Sequence, residues 1–139
     1  MLQRMQTIWL LLAAAGGILT LKYSFFSGNK IDTSQVKTFE YLTATSNMII
    51  LVLTIALVSG ILIDIFLYKN RKLQLRITIL AIIVSLLNIF LYYGQTKKFV
   101  EGNYDLTAVL SLVIPVLLVL AARGIYKDQK LVKSLDRLR

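Results

Sequence analysis

Four long stretches without a single Asp, Glu, Lys or Arg constrain this chain more than any other feature. They cover residues 5–21, 41–63, 77–96 and 106–122, and together account for 77 of 139 residues. A charged side chain at the centre of a bilayer costs about 2.5–3.5 kcal/mol on insertion scales, and a helix needs about 17–25 residues to cross. The two shorter stretches, of 17 residues each, extend through flanks that can snorkel, such as Lys22 followed by Tyr23, Phe25 and Phe26. The pattern therefore predicts transmembrane helices over about 6–26, 44–68, 73–95 and 105–123. Transmembrane strands do not fit, because the runs show no polar alternation and are about twice as long as a barrel strand.

The connections between these spans are short, so consecutive helices are expected to be antiparallel neighbours in a four-helix transmembrane bundle, an all-α membrane fold. An even number of spans puts both termini on one side. That side carries Arg4, Lys69, Arg71, Lys72, Arg76, Arg123, Lys127, Lys130, Lys133, Arg137 and Arg139, against Lys22, Lys30, Lys37, Lys97 and Lys98 on the other. With the acids included, the net charge of +9 divides into +8 and +1. The positive-inside rule then predicts cytoplasmic termini, a cytoplasmic 69–76 loop and exported 27–43 and 96–104 loops. Arg4 followed by an apolar run and Ala13-Ala14-Ala15 imitates a cleaved signal peptide. Cleavage is not expected, because it would leave three spans and put the basic loop and the basic tail on opposite sides.

Two units are expected: a bundle over 1–122 and a cytoplasmic tail over 123–139. In the tail, Leu131, Leu135 and Leu138 recur at helical spacing beside Val132, and six positions are Lys or Arg. This describes a basic amphipathic helix, either continuing the fourth span or lying on the membrane surface, with anionic headgroups as a natural partner. Tyr126 is the one ring there, and so little aromatic interleaving argues against nucleic acid. A faint echo relates 37–40 to 98–101, each segment leading into an even-numbered span.

Asp64 is the one charged side chain clearly inside a predicted span rather than at its edge, five residues before Lys69. A carboxylate at that depth is a functional candidate by default, yet its closeness to the interface favours an ion pair with Arg76, Arg123 or Arg4. Ser85, Asn88 and Tyr92 share a face of the third span, and Ser46, Asn47 and Thr54 mark the second. Hydrogen bonds between membrane helices average about 0.6 kcal/mol, so these residues read first as interhelical glue. Gly16 and Gly17 in the first span, and Ala56 with Gly60 in the second, allow close backbone approach. Pro115 removes the donor to the Ser111 carbonyl and predicts a bend.

The chain has no His and no Cys. That excludes imidazole and thiolate metal sites, a Cys nucleophile and a Ser-His-Asp relay, and no phosphate loop or Ser-Lys dyad is present. No catalytic residue, cofactor or metal is predicted. The first span has no acid and no span holds a deep Lys, unlike small multidrug exporters and retinal proteins respectively.

The opening 1–12, the 68–76 loop and the 123–139 tail resemble a family of small four-helix inner-membrane proteins of unknown function found in Bacteroidetes. The residues that carry the resemblance include Gln3, Arg4, Gln6, Arg71, Gln74, Arg76, Arg123, Asp128, Asp136 and Arg137. The resemblance implies the cytoplasmic membrane of a two-membrane bacterium and brings no reaction or ligand with it. All these residues are expected to converge at the inner interface. With Lys127, Lys130, Lys133 and Arg139 they form the expected cytoplasmic interaction face, and Asp64, Asn88, Ser85 and Asn47 the intramembrane polar set. The expectation is a non-enzymatic accessory or structural subunit that docks a membrane or cytoplasmic protein, or a second copy, through that face. The competing class is a small transporter or channel using Asp64, Asn88 and the Pro115 bend.

Overall fold

The computed structural model describes the backbone of residues 2–31 and 37–136, with side chains for 5–30 and 37–134. Four long helices, α1 (Leu2–Lys22), α2 (Met48–Phe66), α3 (Arg71–Thr96) and α4 (Leu106–Asp136), carry most of the chain. They pack in a ring in which each helix touches the next and α4 closes on α1. All four are long and apolar enough to cross a membrane.

Their packing is inverted relative to a domain built for water. On α3 the buried face reads Gln74, Thr78, Ala81, Ser85, Asn88, Tyr92 and Thr96, while Leu80, Ile83, Leu86 and Phe90 point outward. Burying polar groups and exposing large apolar ones is favourable only where the surroundings are apolar too. Leu10, Ala13, Ala14, Leu57, Ile61, Ile114, Leu118 and Ala121 fill the middle of the bundle. Small residues on α1 set its spacing: a Cβ at Gly17 would lie 2.6 Å from Val58 Cγ2.

A three-stranded antiparallel sheet was not expected, and it takes the place of the expected 27–43 and 96–104 loops. Its strands are β1 (Phe26–Ile31), β2 (Lys37–Leu42) and β3 (Glu101–Tyr104), in the order β2-β1-β3. Phe26 is the Cα partner of Leu42 on one side and of Tyr104 on the other, so β1 joins two parts of the chain far apart in sequence. Gly28 faces Gly102 across β1 and β3, and a Cβ at Gly28 would come 2.2 Å from the Glu101 carbonyl oxygen. The sheet also corrects the first span. Expected to reach residue 26, α1 stops at Lys22 because the Phe25 amide donates to Leu42 O at 2.7 Å and Phe26 enters β1. Both rings are buried in an outer cluster with Leu42, Ile50, Tyr92 and Ala108, where Phe25 stacks on Tyr92 with centroids 4.5 Å apart. Asp105, just before α4, fastens the sheet to the bundle by accepting from the hydroxyls of Ser24 and Ser27.

No break separates the bundle from the tail at residue 122. One helix, α4, runs 31 residues, about 46 Å at 1.5 Å per residue, well beyond the ~30 Å hydrocarbon core of a bilayer. Pro115 is accommodated within it.

Candidate functional site

The end of the molecule opposite the sheet gathers the starts of α1 and α3 with the far end of α4. Arg71, the first residue of α3, donates from Nη1 to the Asp128 carbonyl at 3.1 Å and lies 3.6 Å from Asp128 Oδ2. Asp128 is 8% exposed, and Ile125, one turn earlier, is fully buried. These two contacts keep the α4 extension against the bundle. On the first helix, Gln6 is buried against α4, where a Cβ at Gly124 would meet Gln6 Cγ at 2.8 Å. Gln74 is buried as well, its Nε2 donating to the Asp64 carbonyl at 3.1 Å.

With those partners turned inward, the charges are turned outward. Arg76, Arg123, Lys127, Lys130 and Lys133 are exposed, as are Lys69 and Lys72. A groove of about 560 Å³ runs between the α2–α3 turn and α4, lined by Lys69, Arg71, Lys72, Gln129, Val132 and Lys133. The side chains of Gln3, Arg4 and Asp136, and all of Arg137 and Arg139, lie outside the described residues. The structure thus brings Gln6, Arg71, Gln74 and Asp128 together as a framework under the basic face. Sequence reasoning had placed all four on the face itself.

Inside the bundle, Asp64 corrects another expectation. It is 1% exposed, and among the described residues it makes no ion pair. Its Oδ2 faces the Thr78 hydroxyl at 2.6 Å, and its Oδ1 has no partner among the described residues. That one hydroxyl proton is shared, since Thr78 Oγ1 is also 2.9 Å from the Gln74 carbonyl. Arg76 cannot serve, because it follows buried Gln74 by two residues, about 200° round the helix, and so points out.

Farther along α3, Asn88 donates from Nδ2 to Thr54 Oγ1 at 2.8 Å, joining α3 to α2. Ser85 is spent on its own helix, donating to Ile82 O at 2.7 Å. Asn47 is not within the span: it is the N-cap of α2, where its Oδ1 accepts from the Ile49 amide at 2.9 Å. Ala56 and Gly60 also depart from expectation. Ala56 is exposed, and a Cβ at Gly60 would touch nothing within 4 Å, so this small pair faces outward. Sequence reasoning missed Asp105, counted only as a charge, and Thr78, whose hydroxyl is the partner Asp64 uses.

No group of three or more metal-ligating side chains occurs among the described residues. A family model described as a domain of unknown function, DUF4293, matches residues 2–138. No curated protein matches the chain, and no solved structure does.

Proposed function

Starting from a chain that belongs to the DUF4293 family, a domain of unknown function, we propose a non-enzymatic accessory subunit that docks an acidic partner through its basic end. One observation carries this reading. The basic residues of α4 sit on a rigid continuation of a membrane-spanning helix, clamped by Arg71 and Asp128, so little conformational entropy is lost when a partner binds them. Opposite charge on the partner would steer the encounter. The positive-inside rule assigns this end to the cytoplasm, with both termini there and the sheet exported. The resemblance to Bacteroidetes proteins supports, as part of this proposal, the inner membrane of a two-membrane bacterium as its location. Anionic headgroups would contribute at the rim of the same face, about 1 kcal/mol per basic residue.

Lys127, Lys130 and Lys133 are exposed, so reversing them tests docking without disturbing the core. In a pull-down from mild detergent, the full chain is expected to retain proteins that Lys127→Glu/Lys130→Glu/Lys133→Glu loses. Recovery of the same set by both, or of none by either, would sink the reading.

A second reading, a small transporter or channel, draws on the polar buried face of α3 and the under-partnered Asp64. It predicts a water-accessible path. The chain has no Cys, so single Cys substitutions along α2 and α3 can be titrated with a membrane-impermeant maleimide. The docking reading expects the inward positions Thr54, Leu57, Ala81 and Ser85 to stay unlabelled. Labelling of them as a continuous stripe would favour transport.

A further inference from the structure

In the sheet-side half of the bundle, Thr20 of α1, Leu57 of α2, Ser85, Asn88, Ile89 and Tyr92 of α3, and Ser111 and Ile114 of α4 line a small cavity. What distinguishes it is the direction of its protons. Thr20 Oγ1 donates to the Gly17 carbonyl at 2.7 Å, Ser85 Oγ to that of Ile82 at 2.7 Å, and Ser111 Oγ to that of Thr107 at 3.1 Å. Each hydroxyl has one proton, so all three turn lone pairs to their surroundings. Asn88 has committed its amide to Thr54, and its Oδ1 has no partner. The Tyr92 hydroxyl lies toward Thr54 but makes no hydrogen bond of normal geometry among the described residues, although Asn88 and Tyr92 are 7% and 2% exposed. Pro115 also leaves the Ser111 carbonyl without its usual helical donor. Leu57, Ile89 and Ile114 make much of the wall apolar, and its few polar groups are rich in acceptors and poor in donors.

Asn88 and Tyr92 are one turn apart on α3, a spacing of about 6 Å between side-chain origins, and helical side chains lean back toward the preceding turn. Their free oxygens do not bond each other. One molecule that donates to Asn88 Oδ1 and accepts from Tyr92 Oη would satisfy both groups. The cavity measures about 10 Å³, close to the ~10–15 Å³ that one water needs. Its lining includes no charged group. Asp64 lies seven residues beyond Leu57, about 10 Å along α2. A cation would have no countercharge there, whereas a water needs only two to four polar partners.

We infer that the cavity is a binding site for one ordered water, which donates its protons to wall oxygens of the Asn88, Ser85, Thr20 and Ser111 set and accepts from Tyr92. It joins α1, α3 and α4, which share no direct side-chain hydrogen bond at this level among the described residues.

Crystals of the full chain from a lipidic phase, half of them soaked in thallium(I), test the assignment. The expected result is a density peak within about 3.2 Å of both Asn88 Oδ1 and Tyr92 Oη, with no anomalous signal after the soak. An empty cavity, or an anomalous peak marking a cation, overturns it. A double-mutant cycle gives an independent readout, because Tyr92 and Ser111 do not bond directly. Unfolding equilibria of Tyr92→Phe, Ser111→Ala and the double variant in detergent are expected to be coupled by at least about threefold through the shared water. Additive effects would overturn the proposal.

Discussion

Gly17→Leu is expected to be among the most destabilising single changes in this protein, while Gly60→Leu is expected to be mildly stabilising. At Gly17 the first added carbon already falls 2.6 Å from Val58 Cγ2. Val58 is β-branched and stiff at χ1, so it cannot swing aside as the end of a long side chain would. Overpacking of a core typically costs about 1–3 kcal/mol, and a whole isobutyl group at a contact this close belongs at the upper end. Leu in place of Gly gains about 1 kcal/mol of helix propensity, which offsets a minority of that. At Gly60 the same propensity gain applies and the added carbon meets nothing. Reversible unfolding in mixed micelles should therefore separate the two variants by about 3 kcal/mol. Val58→Ala, which removes the obstructing methyl, should couple favourably with Gly17→Leu by about 1 kcal/mol or more. Equal effects at the two glycines would mean that α1 and α2 do not pack as described.

From the sequence the two glycines cannot be told apart, and the reason is general to this fold. A helix in water declares its inward face by a polar outer face. In α2, apolar residues run all the way round, so composition shows that the segment crosses the membrane without showing which side faces α1. Rotation is visible only where polar residues are frequent enough to mark a face, as on α3, and there the grouping of Ser85, Asn88 and Tyr92 was legible. The same ambiguity misdirected the reading of Asp64. A buried carboxylate near three arginines invites an ion pair, but helix rotation presents Thr78 to it and turns Arg76 outward. The basic end was readable because its framework is short-range in space by topology alone: antiparallel helices bring 6, 71 and 128 to one level.

The sheet was not readable for a different reason. Its strands are four to six residues long, β2 is exposed at five of its six positions, and β1 joins a partner more than seventy residues away. Such a pairing is set by where the helices end. Once α1 terminates at Lys22 and α4 begins at Leu106, Ser24, Ser27 and Asp105 lie beside one another, and the strands pair between them. The faint echo of 37–40 in 98–101 falls on segments that enter the two strands flanking β1. The sheet thus closes the end of the bundle opposite the basic face, and it covers the Tyr92 ring that walls the interior cavity.

Asp64 offers the other large effect, and its sign depends on which partner is removed. Thr78→Val keeps the shape of the side chain and deletes the one proton that, among the described residues, is shared with Asp64 Oδ2, leaving a carboxyl that is 1% exposed without a described donor at either oxygen. A buried polar group stripped of its partner costs about 1–3 kcal/mol, and more when the group is charged, so a loss of about 3 kcal/mol is expected. Removing the carboxyl instead is a different matter. Asp64→Leu eliminates the group that needs a partner, and replacing buried polar pairs with apolar residues is often neutral or stabilising. Gln74 still donates to the residue 64 carbonyl, which the substitution does not touch. Thr78→Val/Asp64→Leu is therefore expected to recover most of what Thr78→Val loses, although it departs further from the natural sequence. Unfolding of all four proteins in the same detergent closes the cycle. A double variant no more stable than Thr78→Val would show that Asp64 holds the bundle together through some other contact. If Asp64→Leu instead folds well but abolishes a proton-coupled flux in vesicles, the carboxyl serves transport, and the docking reading of the basic end would stand or fall separately.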